Sequence, residues 1–80
     1  MKNVIEVLGN VFEELFGMDI SMANLSDSLR DDLNLDSINL VNLQVEIEDR
    51  FNVRFDPINM NLAIIFKTVG SLTEFLEKEV

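Results

Sequence analysis

Apolar residues recur at helical spacing at both ends of the chain and in its middle. Val4, Leu8, Val11, Phe12 and Leu15 follow the i, i+3, i+4, i+7 rule, while Glu6, Asn10, Glu13 and Glu14 fall on other faces. This predicts an amphipathic helix over 3–16, ended by Gly17 as C-cap. Residues 17–35 keep no period. Ser21, Asn24, Ser26, Asp27 and Ser28 supply turn chemistry there, and Ile20, Leu25, Leu29, Leu33 and Leu35 supply apolar anchors. The segment reads as a long loop pinned by those anchors, with a short helical turn near 26–31. A loop this long in a small chain is more often functional than idle.

A second helix is predicted over 37–51, with Asp36 or Ser37 as N-cap, since each offers a side-chain oxygen to the first turn. Residues 52–57 are a connector whose Pro57 can open a helical turn. A short helix falls within 58–66. The last helix starts after Thr68, a good N-cap, and runs from Val69 to about Lys78, burying Leu72, Phe75 and Leu76. Gly70 costs little in its first turn. Val53–Arg54–Phe55 is the only strand-like alternation and is too short to build a sheet. The sum is an all-α four-helix bundle in one domain over 1–80: three main helices, a short third helix and a long first loop.

The second helix carries two apolar stripes. At about 100° per residue, Leu43, Ile47 and Phe51 lie within roughly 60° of Leu40, an ordinary core face. Ile38, Val41 and Val45 form a second stripe roughly 100–160° away, flanked by Glu48 and Asp49. Such a helix either touches neighbours on both sides or offers one stripe to a partner protein. Periodicity alone does not choose between the two.

Composition narrows the function. Against 6 Lys and Arg stand 15 Asp and Glu, a formal net charge of -9, yet 48% of residues are hydrophobic, so the chain folds and wears an acidic coat. That coat repels phosphate backbones and anionic membrane surfaces, and it favours partners with basic patches. No Cys, His, Tyr or Trp is present. Disulfides, thiolates and the commonest general base are therefore excluded, and an independent enzyme is disfavoured. No signal-peptide core or membrane-length apolar run is present, and the expectation is a cytoplasmic monomer.

Asp36–Ser37 opens the second helix within the run Asp31-Asp32-Leu33-Asn34-Leu35-Asp36-Ser37-Ile38-Asn39-Leu40. Asp32, Asn34 and Asp36 match three ligand positions of a calcium loop. Ser37 stands where that loop needs glycine, however, and Leu43 where it needs a bidentate glutamate, so no metal site is expected. Ser37 has no histidine to activate it as a nucleophile, and nothing in the sequence places Lys67 beside it, so no catalytic residue is assigned.

Asp36-Ser37-Ile38, followed by Leu40, Val41, Leu43, Glu46, Ile47, Glu48 and Phe51, resembles the acyl carrier protein (phosphopantetheine-attachment) family. The resemblance covers nearly the whole chain, through Phe66-Lys67-Thr68-Val69-Gly70-Ser71-Leu72 at the start of the last helix. It implies that Ser37 receives 4'-phosphopantetheine from coenzyme A through a phosphopantetheinyl transferase, with Asp36 part of the recognition surface. It also implies that the arm's thiol carries acyl or aminoacyl groups for loading, condensing and modifying enzymes. Ile38, Val41 and Val45 then map to partner contacts, and Glu48 and Asp49 to acidic positions that meet basic patches. Part of the interior is implied to open for an acyl chain. The chain departs from fatty-acid-synthesis members at Asn39 and Asn42, where acids are frequent. It departs again in a longer, apolar segment containing Ile58, Met60, Leu62, Ile64, Ile65 and Phe66. Those departures point to a stand-alone carrier of a specialised pathway for polyketides, unusual lipids or aminoacyl groups. The competing reading is an unmodified acidic adaptor that binds through Ile38, Val41 and Val45.

A charge of -9 on so small a chain makes self-repulsion a destabilising force that salt screens. Raising sodium chloride from low to physiological ionic strength, or adding Mg²⁺, raises the melting temperature. A melt unaffected by ionic strength contradicts this.

Overall fold

A computed structural model describes residues 3–79. The order is α1 (Val4–Phe16), a 3₁₀ turn (Ile20–Met22), α2 (Ser37–Phe51), α3 (Leu62–Ile65) and α4 (Val69–Glu79), with no strand among the described residues. The all-α reading with a short third helix and a long first loop holds. The predicted bounds of α2 match those observed.

Asn3 caps α1 by accepting from the Glu6 N–H, and Gly17 closes it in the left-handed conformation at φ 67°. Val4, Leu8, Val11 and Phe12 are buried as the periodicity predicts. Leu15, expected on the same face, is exposed. The last turn of α1 instead presents Phe16 to the core, edge-on to Phe12 at 5.7 Å between ring centroids.

The helical turn expected near 26–31 lies at Ile20–Met22 instead, where the Asp19 carboxylate accepts from the Ser21 N–H at 3.0 Å. Around 26–31 a single turn, closed by the Asp32 N–H donating to the Ser28 carbonyl at 3.0 Å, does not extend into a helix, and side chains take neighbouring N–H groups. The Asp32 carboxylate accepts from the Ser28 N–H at 2.6 Å, and the Ser28 hydroxyl accepts from the Asp31 N–H at 3.1 Å. Short polar side chains compete in this way with the helical ladder.

The long loop is stitched to the start of α4 by backbone bonds. The Leu29 N–H donates to the Lys67 carbonyl (3.0 Å), the Val69 N–H to Asp27 (3.1 Å) and the Gly70 N–H to Leu25 (2.7 Å). Leu29 is fully buried, and Ile20 and Leu35 join it in the core. Leu25, expected to anchor through its side chain, is exposed and anchors through its carbonyl. This corrects the view of Gly70 as merely tolerated. A Cβ there would lie 2.8 Å from the Leu25 oxygen and 3.2 Å from the Leu25 Cβ.

Leu8, Leu43, Ile47, Leu72 and Leu76 complete the centre, with α1 packed against both α2 and α4. Thr68 caps α4 as predicted, its hydroxyl accepting from the Ser71 N–H at 3.0 Å. Phe75, expected in the buried face, is only half-buried and stacks on Phe55 at 5.3 Å. Arg50 on α2 bridges to Glu14 on α1 (2.7 Å) and to Glu46 one turn away (2.9 Å). Its hydrogen bond holds the Glu14 carboxyl below the ordinary carboxylate range.

Gly70→Ala destabilises the protein by about 1–3 kcal/mol in denaturant melts, because crowding the Leu25 carbonyl outweighs the helical preference for alanine. A neutral or stabilising result contradicts the close seam.

Candidate functional site

The site begins one residue before α2. Asn34 takes a left-handed backbone (φ 59°), which asparagine tolerates better than most residues. The chain then buries Leu35, whose N–H donates to the Leu29 carbonyl at 3.0 Å. Asp36 follows as the N-cap. Its carboxylate accepts from the Asn39 N–H at 2.8 Å, and the Asn39 side-chain oxygen accepts from the Asp36 N–H at 3.2 Å. This reciprocal capping box settles which of Asp36 and Ser37 caps the helix, and it gives Asn39 a structural task.

Because Asp36 caps, Ser37 is the first residue of α2 and its hydroxyl is left out of the cap. The residue is exposed, and Nη2 of Arg30 donates to its Oγ over 3.3 Å. The Ser37 and Ile38 N–H groups precede the first intrahelical bond, Leu40 N–H to Asp36 carbonyl. The positive end of a helix favours an anion there.

Ser37 opens onto a cleft of about 550 Å³. Leu40, Val41 and Gln44 of α2 form one wall, and Leu62, Ala63 and Phe66 form another. Leu40, assigned to the core by the wheel, is half-buried and lines this cleft. Arg30 and Lys67 line it too. Sequence reasoning left Arg30 unassigned and saw nothing bringing Lys67 to Ser37, yet the loop seam brings all three to one cleft. The available signal was that only 6 basic residues exist in the chain.

The second stripe of α2 faces outward. Ile38 is 72% exposed, and Val41 and Val45 are each 58% exposed. Glu48 and Asp49 separate in role. Asp49 is exposed, whereas Glu48 is half-buried and its carboxylate accepts from the Phe55 N–H at 2.9 Å. Glu48 thus holds the connector that Asn52 turns in a left-handed conformation and that Val53 and Phe55 anchor in the core. Beyond it, Pro57 lies in a turn organised by Asp56, whose carboxylate accepts from Asn59 Nδ2 (2.6 Å) and from the Ile58 N–H (2.9 Å). Those bonds hold the Asp56 carboxyl below its ordinary range. Ile58 stands exposed.

A profile of the family described as the phosphopantetheine attachment site matches residues 6–76. The chain belongs to this carrier family. It is 31% identical to an acyl carrier protein of Rhodococcus erythropolis over 96% of this chain and 81% of that one. It is 28% identical to an acyl carrier protein of Thermotoga maritima over 99% of this chain and 94% of that one. A meromycolate extension acyl carrier protein of Mycolicibacterium aurum is 30% identical over 96% of this chain and 76% of its own length. Members of the phosphopantetheine-attachment family bear 4'-phosphopantetheine covalently and are carriers rather than catalysts. They interact with phosphopantetheinyl transferase and with biosynthetic enzymes. Among the described residues of this carrier, no helix is long and apolar enough to cross a membrane.

Since Val41 is exposed, Val41→Asp leaves the helical circular-dichroism signal intact and shifts stability by no more than about 0.5 kcal/mol. Unfolding of this variant contradicts the outward placement of the stripe.

Proposed function

We propose that Ser37 is the residue to which phosphopantetheine is attached, and that the loaded protein ferries acyl groups between enzymes of a specialised pathway. One observation carries the reading: an exposed hydroxyl at the first position of a helix whose cap is supplied by its neighbour, so that Oγ is free to be derivatised. The helix terminus suits a phosphodiester on that oxygen. When attached, the arm supplies a thiol that holds acyl groups as thioesters, a reactive group this Cys-free chain lacks.

The chain's own residues hold and present. Asp36, exposed beside Ser37, offers the transferase a charge to recognise while it fixes the helix terminus. Ile38, Val41 and Val45 offer an apolar docking strip. Asp49 borders it with a solvent-facing carboxylate, and Glu48 adds its charge from a position already engaged with the connector. Basic patches on loading, condensing and modifying enzymes complement this rim. The apolar cleft walls at Leu40, Val41, Leu62 and Phe66 suit an acyl cargo, and the meromycolate extension relatives favour acyl over aminoacyl cargo. Asn39 and Asn42, in place of acids, distinguish the docking end of α2 from that of fatty-acid-synthesis carriers and support a dedicated pathway. We place the carrier in the cytoplasm as a monomer, since like charge opposes self-association. The exposed strip also suits an unmodified adaptor, and the test below separates the two.

Incubation with coenzyme A and a broad-specificity phosphopantetheinyl transferase adds the mass of one arm to the intact protein, and Ser37→Ala gains nothing. No gain, or a gain that survives Ser37→Ala, overturns the assignment.

A further inference from the structure

We propose that Arg30 is a positioning residue for the phosphodiester on Ser37, with Lys67 as a second cation at the same cleft; this rests on Ser37 being the attachment residue. Basic side chains are scarce here, 6 against 15 acids. Arg50 is committed to Glu14 and Glu46, and Lys78 pairs with Glu74. Among the described residues Arg30 enters no salt bridge, and its guanidinium turns to the Ser37 hydroxyl at 3.3 Å. A phosphate on Oγ has its phosphorus one bond from the atom that Arg30 already touches. A guanidinium presents paired donors that match phosphate oxygens bidentately.

At this particular terminus a cation adds to what the remaining free N–H groups offer a phosphate. A helix N-terminus ordinarily offers its N–H groups to a phosphate. Here the Asn39 N–H is taken by the Asp36 carboxylate. That carboxylate adjoins the new negative charge, and Asp31 lines the same cleft. Arg30 offsets both. Its backbone is fixed on either side: Leu29 is fully buried and bonded to the Lys67 carbonyl, and the Asp31 N–H donates to the Ser28 hydroxyl. The backbone that carries the cation is therefore ordered before modification, so that only the side chain remains to be fixed on pairing. Leu40, Val41, Leu62 and Phe66 line the same cleft as Arg30, so pairing there keeps the root of the arm at that cleft.

The test compares apo and holo forms of wild type, Arg30→Gln, Arg30→Lys and Lys67→Gln, each loaded with excess transferase and verified by intact mass. In wild type, modification raises the melting temperature relative to apo, and added salt shrinks the increment. In Arg30→Gln the increment over that variant's own apo form, and its salt dependence, are lost. Arg30→Lys restores part of it, and Lys67→Gln reduces it less than Arg30→Gln does. In wild type alone, the Arg30 Nε–H resonance shifts and exchanges more slowly on conversion to holo, a signature independent of any variant. An equal increment in Arg30→Gln, or an Arg30 resonance unmoved by modification, overturns the role of Arg30 and leaves the attachment at Ser37 standing. Failure of wild type to gain the arm overturns both.

Discussion

The backbone seam between the first loop and the start of α4 is the constraint on which the functional end depends. Three N–H to carbonyl bonds join Leu25, Asp27 and Leu29 to Gly70, Val69 and Lys67. They turn a long aperiodic segment, whose one regular element is the 3₁₀ turn at Ile20–Met22, into a fixed wall. They bury Leu29, bring Arg30 to Ser37 and close one side of the cleft. The closeness of the seam is what requires glycine at position 70. A looser connection would leave α2 intact but would place no cation beside its first residue.

At that residue, capping and the proposed attachment fall to different neighbours. Asp36 satisfies the helix terminus and Asn39 reciprocates, which leaves the Ser37 hydroxyl outside the cap. If serine itself were the cap, its oxygen would be committed to a backbone N–H and modifying it would uncap the helix. The arrangement lets α2 stay folded whether or not Ser37 is derivatised. It also brings a carboxylate next to the hydroxyl proposed for modification, an electrostatic cost that the proposed role of Arg30 would offset. The same helix uses its remaining faces separately: Leu43, Ile47 and Phe51 inward, Ile38, Val41 and Val45 outward, and Leu40 toward the cleft.

The helices were legible because side-chain period and cap chemistry are written in residue types. Asp36-Ser37 followed by Leu40, Leu43 and Ile47 marks α2, and Thr68 with Leu72 and Leu76 marks α4. The seam was not legible, because backbone-to-backbone bonds between distant segments leave no side-chain pattern. Leu25 looked like an apolar anchor and instead anchors through its carbonyl. Periodicity found the second stripe of α2 but could not say that it faces solvent, since burial depends on what packs alongside. The partnership of Arg30 with Ser37 is not legible in the sequence, because it is reached only through the folded loop. Glu48 was read as a rim charge, and its bond to the Phe55 N–H depends on how the connector folds back.

One hydroxyl, held outside its own helix cap, is the atom proposed to carry the arm. Peptide mapping by tandem mass spectrometry of the protein isolated from its source tests it most directly. The phosphopantetheine arm is expected on the peptide containing Asp36 and Ser37, at Ser37, with Ser21, Ser26, Ser28 and Ser71 bare. An arm on any other serine, or a Ser37 peptide found only unmodified, contradicts it.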